Sequence, residues 1–123
     1  LSSMLGEKAK DLPSCSGNFY ADAADCGVGW HGDSQRSKVI GLRLGASINV
    51  CFMWFQGGQP ISARSEVILE HGDFYVMSEK AVGWDWKGTK QMTVRHAVGG
   101  DKFTGISANN YILTKRDGHF SKK

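Results

Sequence analysis

The residues best placed to do chemistry lie in Gly27-Val28-Gly29-Trp30-His31-Gly32-Asp33, where an imidazole and a carboxylate stand two positions apart in a glycine-rich stretch. On an extended backbone, residues i and i+2 point to the same face, so His31 and Asp33 can converge on one point. A second histidine from a distant strand would complete a two-histidine, one-carboxylate face, the donor set that suits non-haem Fe(II). The same pattern recurs at His71-Gly72-Asp73, between two apolar runs. A glycine-centred turn is needed there, and aspartate in such a turn bonds its own nearby backbone, so this pair reads as structural. His119, near a charged terminus, reads as solvated. His96 shares a strand face with Met92 and Val94. A lone histidine in that setting is commonly a core residue; the pairing with His31 and Asp33 makes it the candidate third ligand.

The elements that must position these groups are mostly strands. Residues 1–12 read as a short helix ended by Pro13, and Asn18-Phe19-Tyr20 as a brief strand. Residues 39–46 alternate apolar and small or polar side chains, the pattern of a half-buried strand. Residues 48–55 (INVCFMWF) are apolar on nearly both faces, as a central strand covered on two sides would be. Gln56-Gly57-Gly58-Gln59-Pro60 supplies a hairpin. Strands over 61–70, 74–77, 92–96 and 111–114 follow, with a loop over 80–90 that carries Trp84, Asp85 and Trp86. Seven or eight short strands with at most one or two short helices predict an all-β fold closed as a jelly roll, or double-stranded β-helix.

With 123 residues the chain has the length of a single domain, 1–123. Its 41% hydrophobic and 22% charged residues exclude a disordered chain. No apolar run approaches the ~20 residues of a membrane span. Three cysteines without C-x-x-C spacing argue against disulfides and a structural zinc site, and hence for an intracellular setting. A net charge of +3 permits an anionic partner without demanding one.

Several segments, taken in order, resemble AlkB-type Fe(II)/2-oxoglutarate-dependent dioxygenases. These are Asn18-Phe19-Tyr20, Gly29-Trp30-His31-Gly32-Asp33, Val39-Ile40-Gly41-Leu42-Arg43-Leu44-Gly45, Leu69-Glu70-His71-Gly72-Asp73 and Tyr111-Ile112-Leu113-Thr114-Lys115-Arg116. The likeness spans roughly residues 17–116. It implies that His31, Asp33 and His96 hold the iron, and that Arg116 binds 2-oxoglutarate with help from Asn18 and Tyr20. It also implies a reaction with O2 that hydroxylates a substrate C–H bond. Arginine suits such an anchor because its planar fork pairs with a carboxylate. One departure is Asn110, where the family usually carries a second arginine; Arg95 and Arg43 are the candidate substitutes.

AlkB relatives often demethylate nucleobases held by stacking and edge hydrogen bonds, which makes methylated nucleic acid a candidate partner. Trp84 and Trp86 would offer a stacking platform, and Lys80, Lys87, Lys90, Arg95 and Lys102 a basic surface for phosphates. The 17 residues before Asn18 are too few for the nucleotide-recognition lid such enzymes carry upstream. Hydroxylation of a protein side chain or small molecule therefore stays open. So do a non-catalytic jelly-roll binding module and a cupin-like metalloenzyme that does not use 2-oxoglutarate. A monomer is the default expectation.

Overall fold

Residues 48–56 form a nine-residue strand, Ile48–Gln56, on which the main sheet is built. The computed structural model describes residues 15–105 and, as strands, 111–113 and 120–122. In chain order the elements are β1 (Gly27–His31), β2 (Val39–Leu42), β3 (Ile48–Gln56), β4 (Gln59–Pro60), β5 (Ser65–Leu69) and β6 (Phe74–Met77). The one-turn helix α1 (Glu79–Val82), β7 (Thr93–Gly99), α2 (Asp101–Thr104), β8 (Tyr111–Leu113) and β9 (Phe120–Lys122) follow. The fold is all-β, with curled antiparallel sheets and two short helices.

The pairing is nested. β1 pairs with β7, β2 with β6 and β3 with β5, all antiparallel, so residues 27–99 run as one long hairpin that turns around between β3 and β5. β3 also pairs with β7, which rolls the hairpin on itself and yields the order β1-β7-β3 in the main sheet with β2-β6 apart. Such a rolled hairpin is compatible with the expected jelly roll.

β3 is covered along the whole of one face and on the other at Ile48 and Val50, with Trp54 left 41% exposed, so its two-sided apolar sequence is matched in part. On one face Ile48 and Val50 join Leu69, and Tyr20, Phe52, Tyr75 and Val98 pack against them. On the other face Cys51, Met53 and Phe55 are buried, with Thr93 and Ala97 of β7. Trp30 lies against Phe55, ring centroids 6.0 Å apart, and its indole N–H donates to the Gly105 carbonyl just past α2. Met53 is 2% exposed, so Met53→Ala is expected to cost about 2–5 kcal/mol in denaturant unfolding. A loss under ~1 kcal/mol would mean that the site collapses around the truncation.

Several expected elements differ. Asn18-Phe19-Tyr20 makes no strand; Phe19 is solvent-exposed, and Tyr20 alone turns into the core. The strand expected over 39–46 ends at Leu42, because the Arg43 guanidinium folds back to donate twice to the Ala46 carbonyl. The strand expected over 61–70 begins at Ser65. The loop expected over 80–90 opens with α1, capped by the Ser78 hydroxyl accepting from the Ala81 N–H. The helix expected over 1–12, together with Asn110, Arg116 and His119, lies outside the described residues. No helix among the described residues is long and apolar enough to cross a membrane.

Candidate metal centre

His31 ends β1 and His96 sits mid-way along β7, directly opposite it in the register. A β-bulge produces this alignment. Val28 pairs with Val98 and His31 with His96, so three steps along β1 face two along β7. Strict alternation from Val28 would send His31 to the opposite face; the extra residue re-aims it to the side of His96. Trp30 then points to the other side and anchors the bulged strand on Phe55.

Asp33 lies just beyond the strand, where its N–H donates to the Val82 carbonyl at the end of α1, 3.0 Å away. Gly32 makes this possible: a Cβ there would stand 2.5 Å from Trp86 Cγ and overlap the Gly83 carbonyl oxygen. The ligand loop is thus clamped between the end of α1 and the Trp86 ring.

The three side chains converge. Asp33 Oδ1 lies 3.9 Å from His31 Nε2 and Oδ2 lies 3.8 Å from His96 Nε2, and the two imidazole centroids are 4.3 Å apart. One donor atom from each residue falls within 4.8 Å of the other two. These separations exceed a hydrogen bond, so the groups are gathered without binding one another.

The donor chemistry fits a divalent cation. His31 Nδ1 stands 2.7 Å from the Gly29 carbonyl, which can only accept, so Nδ1 donates there and Nε2 is the nitrogen turned toward Asp33. His96 is buried, and burial lowers its pKa from 6.5 to about 4; the neighbouring His31 adds to the fall, and Asp33 opposes it. The Ala81 backbone favours the charged ring least of the four influences, and no well-formed hydrogen bond reaches the buried Nδ1. His96 is therefore neutral at pH 7, and its Nε2 can ligate without first losing a proton. Residues His31, Asp33 and His96, the ligand set that the resemblance implies, form a possible metal-binding triad.

A stability consequence follows for the metal-free protein. His96 takes a proton near pH 6.5 when unfolded but only near pH 4 when folded. Between those values the unfolded chain binds more protons, so stability is present above pH 6.5 and falls as pH drops toward 4. The contribution is expected to reach about 3 kcal/mol, read as the difference between wild type and His96→Gln in denaturant unfolding at pH 4.5 and pH 7. Identical pH dependence in both proteins would rule it out.

The other expected site residues are placed as follows. Tyr20 packs against the Ile48, Val50 and Leu69 cluster, on the triad's side of the main sheet. Burial and then Tyr75 raise its phenol pKa, while Arg43 and the Asn18 side chain pull it down. Asn18 is exposed. Of the two arginines offered as substitute anchors, Arg95 faces away from the triad. Arg95 alternates to the opposite face, stacked 4.4 Å from the Phe55 centroid and 5.1 Å from that of Trp86, and Arg43 is bound to Ala46. Trp86 is not an open stacking platform, being packed on Gly32 and Arg95; Trp84 is half exposed. The second histidine–aspartate pair is a turn: Asp73 Oδ2 accepts from the Glu70 N–H, and His71 Nδ1 accepts from the Gly45 N–H.

The role of Gly32 escapes sequence reasoning because it depends on what the fold brings alongside, whereas the Gly29 carbonyl meets His31 within the same local segment. The glycine signal itself was visible; its partner across the chain was not.

An uncharacterized protein of Acanthamoeba polyphaga mimivirus is 51% identical to this chain over 87 residues, which cover 71% of the chain and 34% of that protein. The chain thus spans about a third of the length of this relative. No family model and no solved structure matches the chain.

Proposed function

We propose that this chain is the catalytic core of an Fe(II)- and 2-oxoglutarate-dependent dioxygenase that hydroxylates a C–H bond. The observation that carries this reading is the convergence of His31, Asp33 and His96 within 4.8 Å on one side of the main sheet. Two imidazoles and one carboxylate on one face suit a non-haem Fe(II) ion with positions left for co-substrate. Iron with 2-oxoglutarate and O2 would supply the oxidising power for the C–H bond.

The chain's own residues have definable tasks. The Gly29 carbonyl holds the His31 proton on Nδ1 and so presents Nε2. The Val82 carbonyl fixes the backbone of Asp33. Burial of His96 among Phe52, Val98 and α1 keeps water from its ring and keeps it neutral. Arg116 remains the cation this reading requires for the far carboxylate of 2-oxoglutarate.

Anaerobic titration with Fe(II) and then 2-oxoglutarate tests the reading. The visible charge-transfer band of the chelate should appear with wild type and be absent with His31→Ala. Succinate release in air should follow the same pattern. A protein that binds Fe(II) through the triad but gives no band, and that ignores Arg116→Ala, would instead be a metalloenzyme without 2-oxoglutarate. That second reading has one observation in its favour: Arg95 stacks on Phe55 and Trp86, on the face opposite the triad.

A further inference from the structure

Building on that function, we propose that the open cleft beside the triad receives an uncharged, largely apolar part of the substrate, with Phe52 and Trp54 as its aromatic wall. The cleft has a volume of about 470 Å³, the size that holds a drug-sized ligand or a side chain with its neighbours. Two of its lining residues neighbour the metal centre in the sheet register. Phe52 is the cross-strand partner of His96, their ring centroids 6.2 Å apart, and Trp54 pairs with Val94, two residues from His96 on the same face. Phe52, Trp54, Val94 and Ala81 all line the cleft, and Ala63 closes it from the loop before β5.

Three polar groups on its wall, Ser62, Ser78 and Lys80, are already engaged. Ser62 Oγ accepts from the Trp54 N–H and donates to the Ala63 carbonyl, and Ser78 Oγ caps α1. Lys80, the cation of the lining, donates to Asp85 Oδ2 and to the Met92 carbonyl, both at 2.6 Å. Its charge is already paired with Asp85 while its ammonium lies 5.9 Å from the Trp54 centroid, so a phosphate or carboxylate entering here would have to compete with Asp85 for it. An apolar group gains by covering Trp54, which is 41% exposed, and the Ser65 hydroxyl offers one polar handle.

The test uses p-cresol as an uncharged probe and phenyl phosphate as its anionic counterpart, followed by NMR of the full chain. p-Cresol should shift the Trp54 indole N–H and the Ala63 methyl signals and bind about tenfold more tightly than phenyl phosphate. Trp54→Ala should weaken p-cresol about tenfold, and Ala63→Trp, which fills the cleft from an exposed loop, should do the same. Asp85→Asn should free the Lys80 charge and narrow the preference. Equal or tighter binding of phenyl phosphate to wild type, or p-cresol shifts confined to other residues, would overturn the inference. Mn(II) added at the triad separates the two readings. If it broadens His96 neighbours while p-cresol misses the cleft, the inference falls and the dioxygenase reading stands. If p-cresol fills the cleft but Mn(II) broadens nothing near His96, the functional reading falls, and the cleft's substrate role falls with it.

Discussion

Asp33→Ala is expected to weaken divalent-metal binding by more than about 100-fold and to leave the metal-free fold intact. The size follows from what the carboxylate does. It is the anion of the donor set, with one oxygen facing each imidazole at 3.9 and 3.8 Å. Losing a group that merely orients a ligand costs ~10–100-fold in affinity, so losing a ligand should cost at least as much. The fold should tolerate the change because Asp33 is held through its backbone N–H, which alanine retains, and its side chain is 31% exposed. Calorimetric titration with Mn(II) or Co(II) reads the affinity, and thermal unfolding of the metal-free protein reads the fold. Wild-type affinity in the variant would remove Asp33 from the site, and the proposed function with it.

Gly32→Ala is expected to destroy both metal binding and much of the stability, whereas Gly72→Ala should spare the metal. The two glycines occupy the middle of the same His-Gly-Asp pattern but are constrained differently. At Gly32 a Cβ would meet the Gly83 backbone and the Trp86 side chain, 2.5 and 2.6 Å from its Cγ and Cβ, so α1 or the ligand loop must move. Overpacking of this kind costs about 1–3 kcal/mol or more, and the displaced loop is the one that carries Asp33. At Gly72 nothing lies within 4 Å, but φ is +86°, a backbone conformation that costs an L side chain about 1–2 kcal/mol. Comparing the two variants by denaturant unfolding and Mn(II) titration separates the mechanisms. Retained metal affinity in Gly32→Ala would show that the loop can shift without disturbing Asp33.

Much of the fold was legible because hydrophobic period alone decides it. β3 was recognisable from an apolar run too short for a helix and apolar on both faces, and it is buried along one face and at Ile48 and Val50 on the other. The hairpin at Gly57-Gly58 was carried by two glycines, which adopt φ of +63° and +77°. Residues 18–20 and 43–46 were misjudged for a different reason. Their alternation matches a strand, but a strand also needs a neighbour to pair with, and local pattern does not supply one. The Arg43 side chain competing for the Ala46 carbonyl is likewise invisible in a pattern of apolar and polar letters.

By itself the sequence determined the donor types, their order along the chain and the all-β framework, since those rest on side-chain chemistry and a two-residue period. Only the tertiary structure decided that His31 faces His96, because a one-residue bulge in β1 inverts its side and no local rule places that bulge. The tertiary structure also separated the two His-Gly-Asp pairs in fact as well as in expectation. One packs against the end of α1 and Trp86, the other bonds its own turn, and that difference lies in what the folded chain brings to each.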